Sequence, residues 1–128
     1  MILKTNKLRR LEITFSTLSC LLALEVSKEL AKHKFGRAAG AVAGVVLERH
    51  LKDVCQRRHL KVTKKNPTIA DVNNLLKEAT IIDLPQWRFV QHLADIRNLC
   101  DHSKTTEPSL DQVNDLIAGV MKVTKTVF

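Results

Sequence analysis

Apolar side chains return every three or four residues through most of this chain, the period of an α-helix that buries one face. Leu11, Phe15, Leu18, Leu22, Val26 and Ala31 mark a first helix over residues 6–33. Its last turns hold Lys28, Lys32 and Lys34, cations that suit the negative end of a helix dipole. Gly36 is the expected stop. A second helix runs from there to about Arg58 with Gly40, Ala43, Leu47, Leu51 and Val54 on one face, and the small residues at 36, 40 and 44 predict close approach of another backbone.

His59 to Pro67 reads as a basic linker, after which Thr68 and Asp71 form a capping-box pattern for a short helix through Leu75, Leu76 and Ala79. Asp83, Pro85 and Gln86 open a fourth helix that turns Trp87, Val90, Leu93, Ile96 and Cys100 inward and ends near His102. A polar loop, Ser103 to Pro108, precedes a last helix capped by Ser109 and Gln112, with Leu110, Val113, Ile117, Val120, Met121 and Thr124 on one side. Four glycines and three prolines in 128 residues are too few for the repeated reversals of a β-sandwich or barrel. The expectation is a single all-α domain over residues 1–128, an up-and-down bundle of four main helices and one short one.

The net charge of +8 is uneven: residues 1–65 hold 15 basic and 5 acidic side chains, residues 66–128 hold 6 and 8. Arg49, Lys52, Arg57, Arg58, Lys61, Lys64 and Lys65 make the densest basic run, a footprint for a polyanion or equally a solvated helix face. Cys20, Cys55 and Cys100 are odd in number and never form C-x-x-C, so neither a disulfide framework nor a zinc site is expected, and a reducing cytoplasm fits best. Lys4, Lys7, Arg9 and Arg10 before the apolar stretch Ile13–Leu24 imitate a signal peptide. Glu12 and Glu25 bound that stretch, no small-x-small cleavage site follows, and it is too short to span a bilayer.

There is no phosphate-cradling glycine loop, H-E-x-x-H motif or nucleophile elbow, and no metal or cofactor is expected. The remaining constellation is Arg97-Asn98-Leu99-Cys100-Asp101-His102 at the end of the fourth helix. Histidine titrates near neutral pH, so it can take a proton from a ribose 2′-hydroxyl or give one to a leaving 5′-oxygen. Arginine is permanently charged and planar, suited to bracing a phosphate as charge builds on it. A pair of this kind can work on a phosphodiester without a metal. The ordinary alternatives are an Arg97–Asp101 surface ion pair and a histidine favoured by the helix dipole.

The hexapeptide resembles the R-x4-6-H motif of HEPN domains (higher eukaryotes and prokaryotes nucleotide-binding), small helical bundles many of which are metal-independent endoribonucleases. Thr106-Glu107-Pro108-Ser109 before a capped last helix fits the family's pattern, and Arg37-Ala38-Ala39-Gly40 is similar to the start of the second helix of short bacterial members. The resemblance spans roughly residues 7–125 and is sharpest at Arg97–His102. It implies an HEPN-like fold, RNA as substrate, a 2′,3′-cyclic phosphate product, Arg97 and His102 as catalytic residues, and a toxin or phage-defence role with a possible antitoxin protein. Five residues of separation place His102 about 140° around an ideal helix from Arg97, so either the helix frays before His102 or a two-fold partner supplies a second set of groups across a shared cleft, and the resemblance to HEPN homodimers implies the second.

Asn98 is placed to orient the imidazole or bind phosphate, with Asp101 supporting; Arg49, Lys52, Arg57, Arg58, Lys61 and Lys104 are the candidate RNA contacts. Lys104 stands where some HEPN toxins carry a Tyr that a partner antitoxin modifies, and this chain has no Tyr, which removes that route. His33, His50, His59 and His92 lack matched partners and read as surface or cap residues, while Trp87 falls in phase with the core. The competing reading is a non-catalytic helical module that binds a protein or nucleic acid, since fold does not dictate chemistry. A sequence-specific DNA binder fits less well, because no tight glycine turn joins two short helices.

Overall fold

The computed structural model describes residues 18–102 and 106–127, with the His102 side chain outside the described set. Helix α1 covers 18–32 of these, followed by α2 (Gly36–Arg57), α3 (Ile69–Glu78), α4 (Leu84–His102) and α5 (Leu110–Thr126). Every regular element among the described residues is a helix, as the periodicity requires. The predicted stretch 6–17 of the first helix, with Leu11 and Phe15, lies outside the described residues, as does Lys104.

The starts follow local chemistry. Thr68 and Ser109 accept from the backbone N–H of Asp71 and Gln112, whose side chains accept in return from the N–H of the cap. Asp83 and Gln86 form the same reciprocal pair before α4. Each satisfies two N–H groups that a helix start leaves without intrahelical partners. The Thr68 N–H and the Lys64 ammonium hold the Asp71 carboxyl below its ordinary pKa.

The stops depart from expectation. Gly36 does not end α1; it opens α2, and the left-handed residue is Lys34, with φ 68°. Phe35 N–H then donates to Leu30 O at 2.8 Å and Lys34 N–H to Ala31 O at 3.0 Å, the two bonds of a Schellman motif. His59 (φ 58°) and Thr80 (φ 59°) close α2 and α3 in the same way. Three helices thus terminate on side-chain-bearing residues, while no glycine has positive φ.

Helix α2 lies at the centre, packed against α3, α4 and α5, and α4 also touches α3 and α5. Leu47, Leu51 and Val54 of α2 meet Leu76, Leu93, Val113, Leu116 and Val120 in a core from which water is excluded. Complete burial of each such side chain is worth about 1.5–3 kcal/mol. Helix α1 turns Leu24, Ser27 and Ala31 inward, and the fully buried Ser27 hydroxyl donates to Ala39 O of α2 at 2.6 Å. The period-marking Leu18, Leu22 and Val26 are instead exposed, because the face carrying Leu24 and Ala31 is the one that fits α2.

Trp87 is only partly buried, a correction to its placement in the core. Its indole N–H needs a partner and finds Asn74 Oδ1 at 2.8 Å, which keeps the ring at the bundle edge under the Lys77 ammonium, 4.2 Å from its centroid. The fully buried Asn73 donates to Trp87 O at 3.0 Å.

His50 is no surface histidine. Its Nε2 donates to Val127 O at 2.7 Å, tying α2 to the residue after α5. Burial pushes its pKa below 6.5, outweighing the bond to Val127, which raises it. A folded-state pKa below the unfolded value means that the unfolded chain binds the proton more readily, so stability is present above pH 6.5 and declines as pH falls below it. Melting temperatures between pH 7.5 and 5.5 are therefore expected to fall for the wild type, with a smaller fall for His50→Gln.

Candidate functional site

The last six residues of α4 are Arg97 to His102, so the motif sits at a helix C-terminus, as predicted. Arg97 leans across to α2. Its stem lies directly over Gly44, where an added Cβ would collide with Arg97 Cγ and stand 3.2 Å from Nε. One turn earlier Cys100 fills the space over Gly40 in the same manner. The small residues at 40 and 44 do admit a close neighbour, and that neighbour is the motif face of α4.

The guanidinium, with its side chain 22% exposed, lies between two carboxylates. Asp101 Oδ2 is 2.9 Å from Nε and Glu48 Oε2 is 3.9 Å from Nη2. The Nε–H is buried and makes no directed hydrogen bond, so the Asp101 contact is an ion pair without aligned donor geometry. Glu48 Oε1 also accepts from the Lys52 ammonium at 2.8 Å, so one carboxylate joins the basic second helix to the motif arginine.

Arg37 fixes this end of α4 from the first turn of α2. Its Nη1 donates to Cys100 O at 3.1 Å, Nη2 to Thr106 O at 3.0 Å and Nε to Glu107 Oε1 at 3.0 Å. One side chain therefore holds the connection on both sides of residues 101–105. Burial, then the neighbouring Asp101 charge, raises the Cys100 thiol pKa and keeps it protonated.

The structure brings Arg97, Asp101 and, through Glu48, Lys52 into one cluster. Asn98 is exposed on the adjacent face of α4. Arg57 is paired with Asp53 at 3.4 Å, outside the cluster. Arg49, Arg58 and Lys61 are exposed on or just beyond α2, with Arg49 at the groove between α1 and α2. The basic run is thus partly neutralised by its own carboxylates, since Lys64 also meets Asp71 at 3.2 Å. Of the site-forming residues, sequence reasoning marked Gly44 only as a small packing position and Arg37 only as part of the Arg37–Gly40 segment, and gave Glu48 no role. The i, i+4, i+8 row Gly40, Gly44, Glu48 was the signal available for two of them.

Among the described residues no three His, Cys, Asp or Glu side chains gather as a metal-ligand set, and no helix is long and apolar enough to cross a membrane. Comparison with family models, with curated proteins and with solved structures finds no match to this chain.

Proposed function

We propose that this chain is an HEPN-like endoribonuclease of the toxin or phage-defence type, its helices in the up-and-down HEPN arrangement, acting on RNA as a homodimer with Arg97 and His102 at a shared cleft. The observation that carries the reading is a permanently charged guanidinium, seated on Gly44 and still solvent-accessible, in the same last turns of α4 as His102. In this reading one His102 accepts the proton of a ribose 2′-hydroxyl as the 2′-oxygen attacks phosphorus. The other copy protonates the departing 5′-oxygen, leaving a 2′,3′-cyclic phosphate. Arg97 exchanges its carboxylate neighbours for the phosphate, on which negative charge is concentrated in the transition state. The exposed Arg49, Arg58 and Lys61 supply sequence-independent attraction for the backbone.

A second reading, a non-catalytic interaction module, is favoured by one observation: carboxylates already flank the Arg97 guanidinium on two sides. Cleavage of end-labelled single-stranded RNA in excess EDTA separates the two. The wild type is expected to cut and leave cyclic-phosphate ends, and Arg97→Ala and His102→Ala, each verified as folded and of wild-type oligomeric state, to lose about a hundredfold or more. Cutting that survives both substitutions would remove the site assignment. Absence of cutting across several RNAs would leave the interaction module.

A further inference from the structure

We infer that Arg97 and Lys52 form a two-cation seat for one phosphodiester group of a nucleic-acid strand, and that the Glu48 carboxylate fills this seat as an internal competitor until a strand displaces it. The inference deepens the proposed function, on which it rests for the class of polyanion. One row of α2 builds the seat. Gly44, Glu48 and Lys52 stand at i, i+4 and i+8, one above another on the same helix face. Arg97 crosses from α4 over Gly44 and brings Nη2 to 3.9 Å from Glu48 Oε2, while Lys52 Nζ donates to Glu48 Oε1 at 2.8 Å. Two cations from two helices thus face the two oxygens of one carboxylate. A phosphodiester shares the same single negative charge between two outer oxygens, which makes it the anion that fits where Glu48 sits.

The two carboxylates beside Arg97 differ in how they hold it. Asp101 stands one turn away on the same helix and meets the buried Nε at 2.9 Å, whereas Glu48 reaches only Nη2, from the other helix and at the longer distance. Glu48, Lys52 and Arg97 are all partly open to solvent, so an incoming anion meets the Glu48 side of the guanidinium. With Asp101 counted, the charges of Arg97, Lys52 and the two acids cancel, and the cluster has no net attraction for an isolated anion. A tethered carboxylate also acts at an effective concentration on the order of mM or above, which a lone phosphate ion does not overcome. A strand held through its neighbouring phosphates presents the next one at a comparable effective concentration, so the seat opens to a polyanion.

Equilibrium binding of a fluorescent single-stranded oligodeoxynucleotide to the full chain in excess EDTA tests the seat. A strand without 2′-hydroxyls cannot be cut by the proposed route, so affinity is read apart from catalysis. Glu48→Gln keeps the size and one hydrogen-bonding oxygen and removes the charge. It is expected to tighten binding about tenfold at about 50 mM salt and to steepen the slope of log K against log salt by about 0.7, the increment for one further phosphate on a single strand. Lys52→Met added to Glu48→Gln is expected to return the affinity to near the wild-type level. Asp53→Asn makes the same change of net charge at the Asp53–Arg57 pair, outside the cluster, and is expected to tighten binding by less than about threefold. All variants are compared as folded proteins by circular dichroism. Equal tightening by Glu48→Gln and Asp53→Asn would reduce the effect to net charge and overturn the seat. Unchanged or weaker binding by Glu48→Gln would overturn it too, since the carboxylate would then hold Arg97 in place without competing for it. Tightening confined to Glu48→Gln in a protein that cuts no RNA would uphold the seat and remove the ribonuclease reading. Unchanged binding in a protein that cuts RNA would do the reverse.

Discussion

Gly40→Ala is expected to destabilise the protein by about 2 kcal/mol, even though alanine is the better helix residue by about 1 kcal/mol. The added methyl would meet both Cys100 Sγ and Cys100 Cβ, the latter at 2.8 Å. A Cβ is one bond from its backbone and cannot swing aside, so α4 itself must move off α2, and Leu116, 3.7 Å from the same point, moves with it. Overpacking of this kind costs roughly 1–3 kcal/mol beyond what propensity returns. Gly36→Ala is the internal control: its methyl would find Val113 Cγ2 at 3.5 Å, an ordinary contact, and stability is expected to stay level or rise slightly. Urea unfolding of the two variants beside the wild type measures the difference. Equal midpoints would mean that α2 and α4 are not in close contact at this level.

The same residues explain how much of the molecule was legible beforehand. Capping boxes at Thr68 and Ser109 and the apolar period of α2, α4 and α5 are local codes; the helices start where the boxes point and bury most of the periodic residues, with Leu110 left exposed and Trp87 only partly buried. The ends were less legible because the obvious punctuator, glycine, serves another purpose here. Gly40, Gly44 and Gly119 lie inside helices to admit Cys100, Arg97 and Leu93, and the left-handed turns fall to Lys34, His59 and Thr80. A rule that reads glycine as a helix stop cannot distinguish these uses without knowing which helix packs on which.

Helix α1 fails for a related reason. Its strongest apolar stripe is not the face that meets α2, and periodicity measures only that a stripe exists, not what covers it. At the candidate site the i, i+4 pair Arg97–Asp101 was readable from spacing. Glu48 was not, since it reaches Arg97 from a helix 49 positions away in sequence, and neither was the triple attachment of Arg37, to Cys100 of α4 and to Thr106 and Glu107 beyond it.

Gly44→Ala is expected to abolish RNA cleavage while leaving the fold nearly unchanged in stability. A Cβ at this position would occupy the place of Arg97 Cγ and press on Cδ at 3.4 Å and Nε at 3.2 Å. Unlike Cys100, the obstructing group is the stem of a long side chain, which escapes by rotating about its own bonds. Arg97 then leaves Glu48 and Asp101 for solvent. The ion pairs given up are partly exposed and worth no more than about 1 kcal/mol, which the alanine offsets through helix propensity. What is lost is position. A phosphate clamp contributes through a guanidinium already aimed when charge develops, and an arginine free to wander loses on the order of 10²–10³ in rate, close to the loss from Arg97→Ala itself. The Arg97 Nε–H supplies a readout independent of activity: buried in the wild type, it is expected to exchange slowly with solvent, and to exchange rapidly once alanine displaces the stem. Fast exchange with cleavage intact would show that the seat is dispensable to the reaction. Slow exchange would show that Arg97 stays in place and α2 yields instead, making Gly44 a packing residue of the same kind as Gly40.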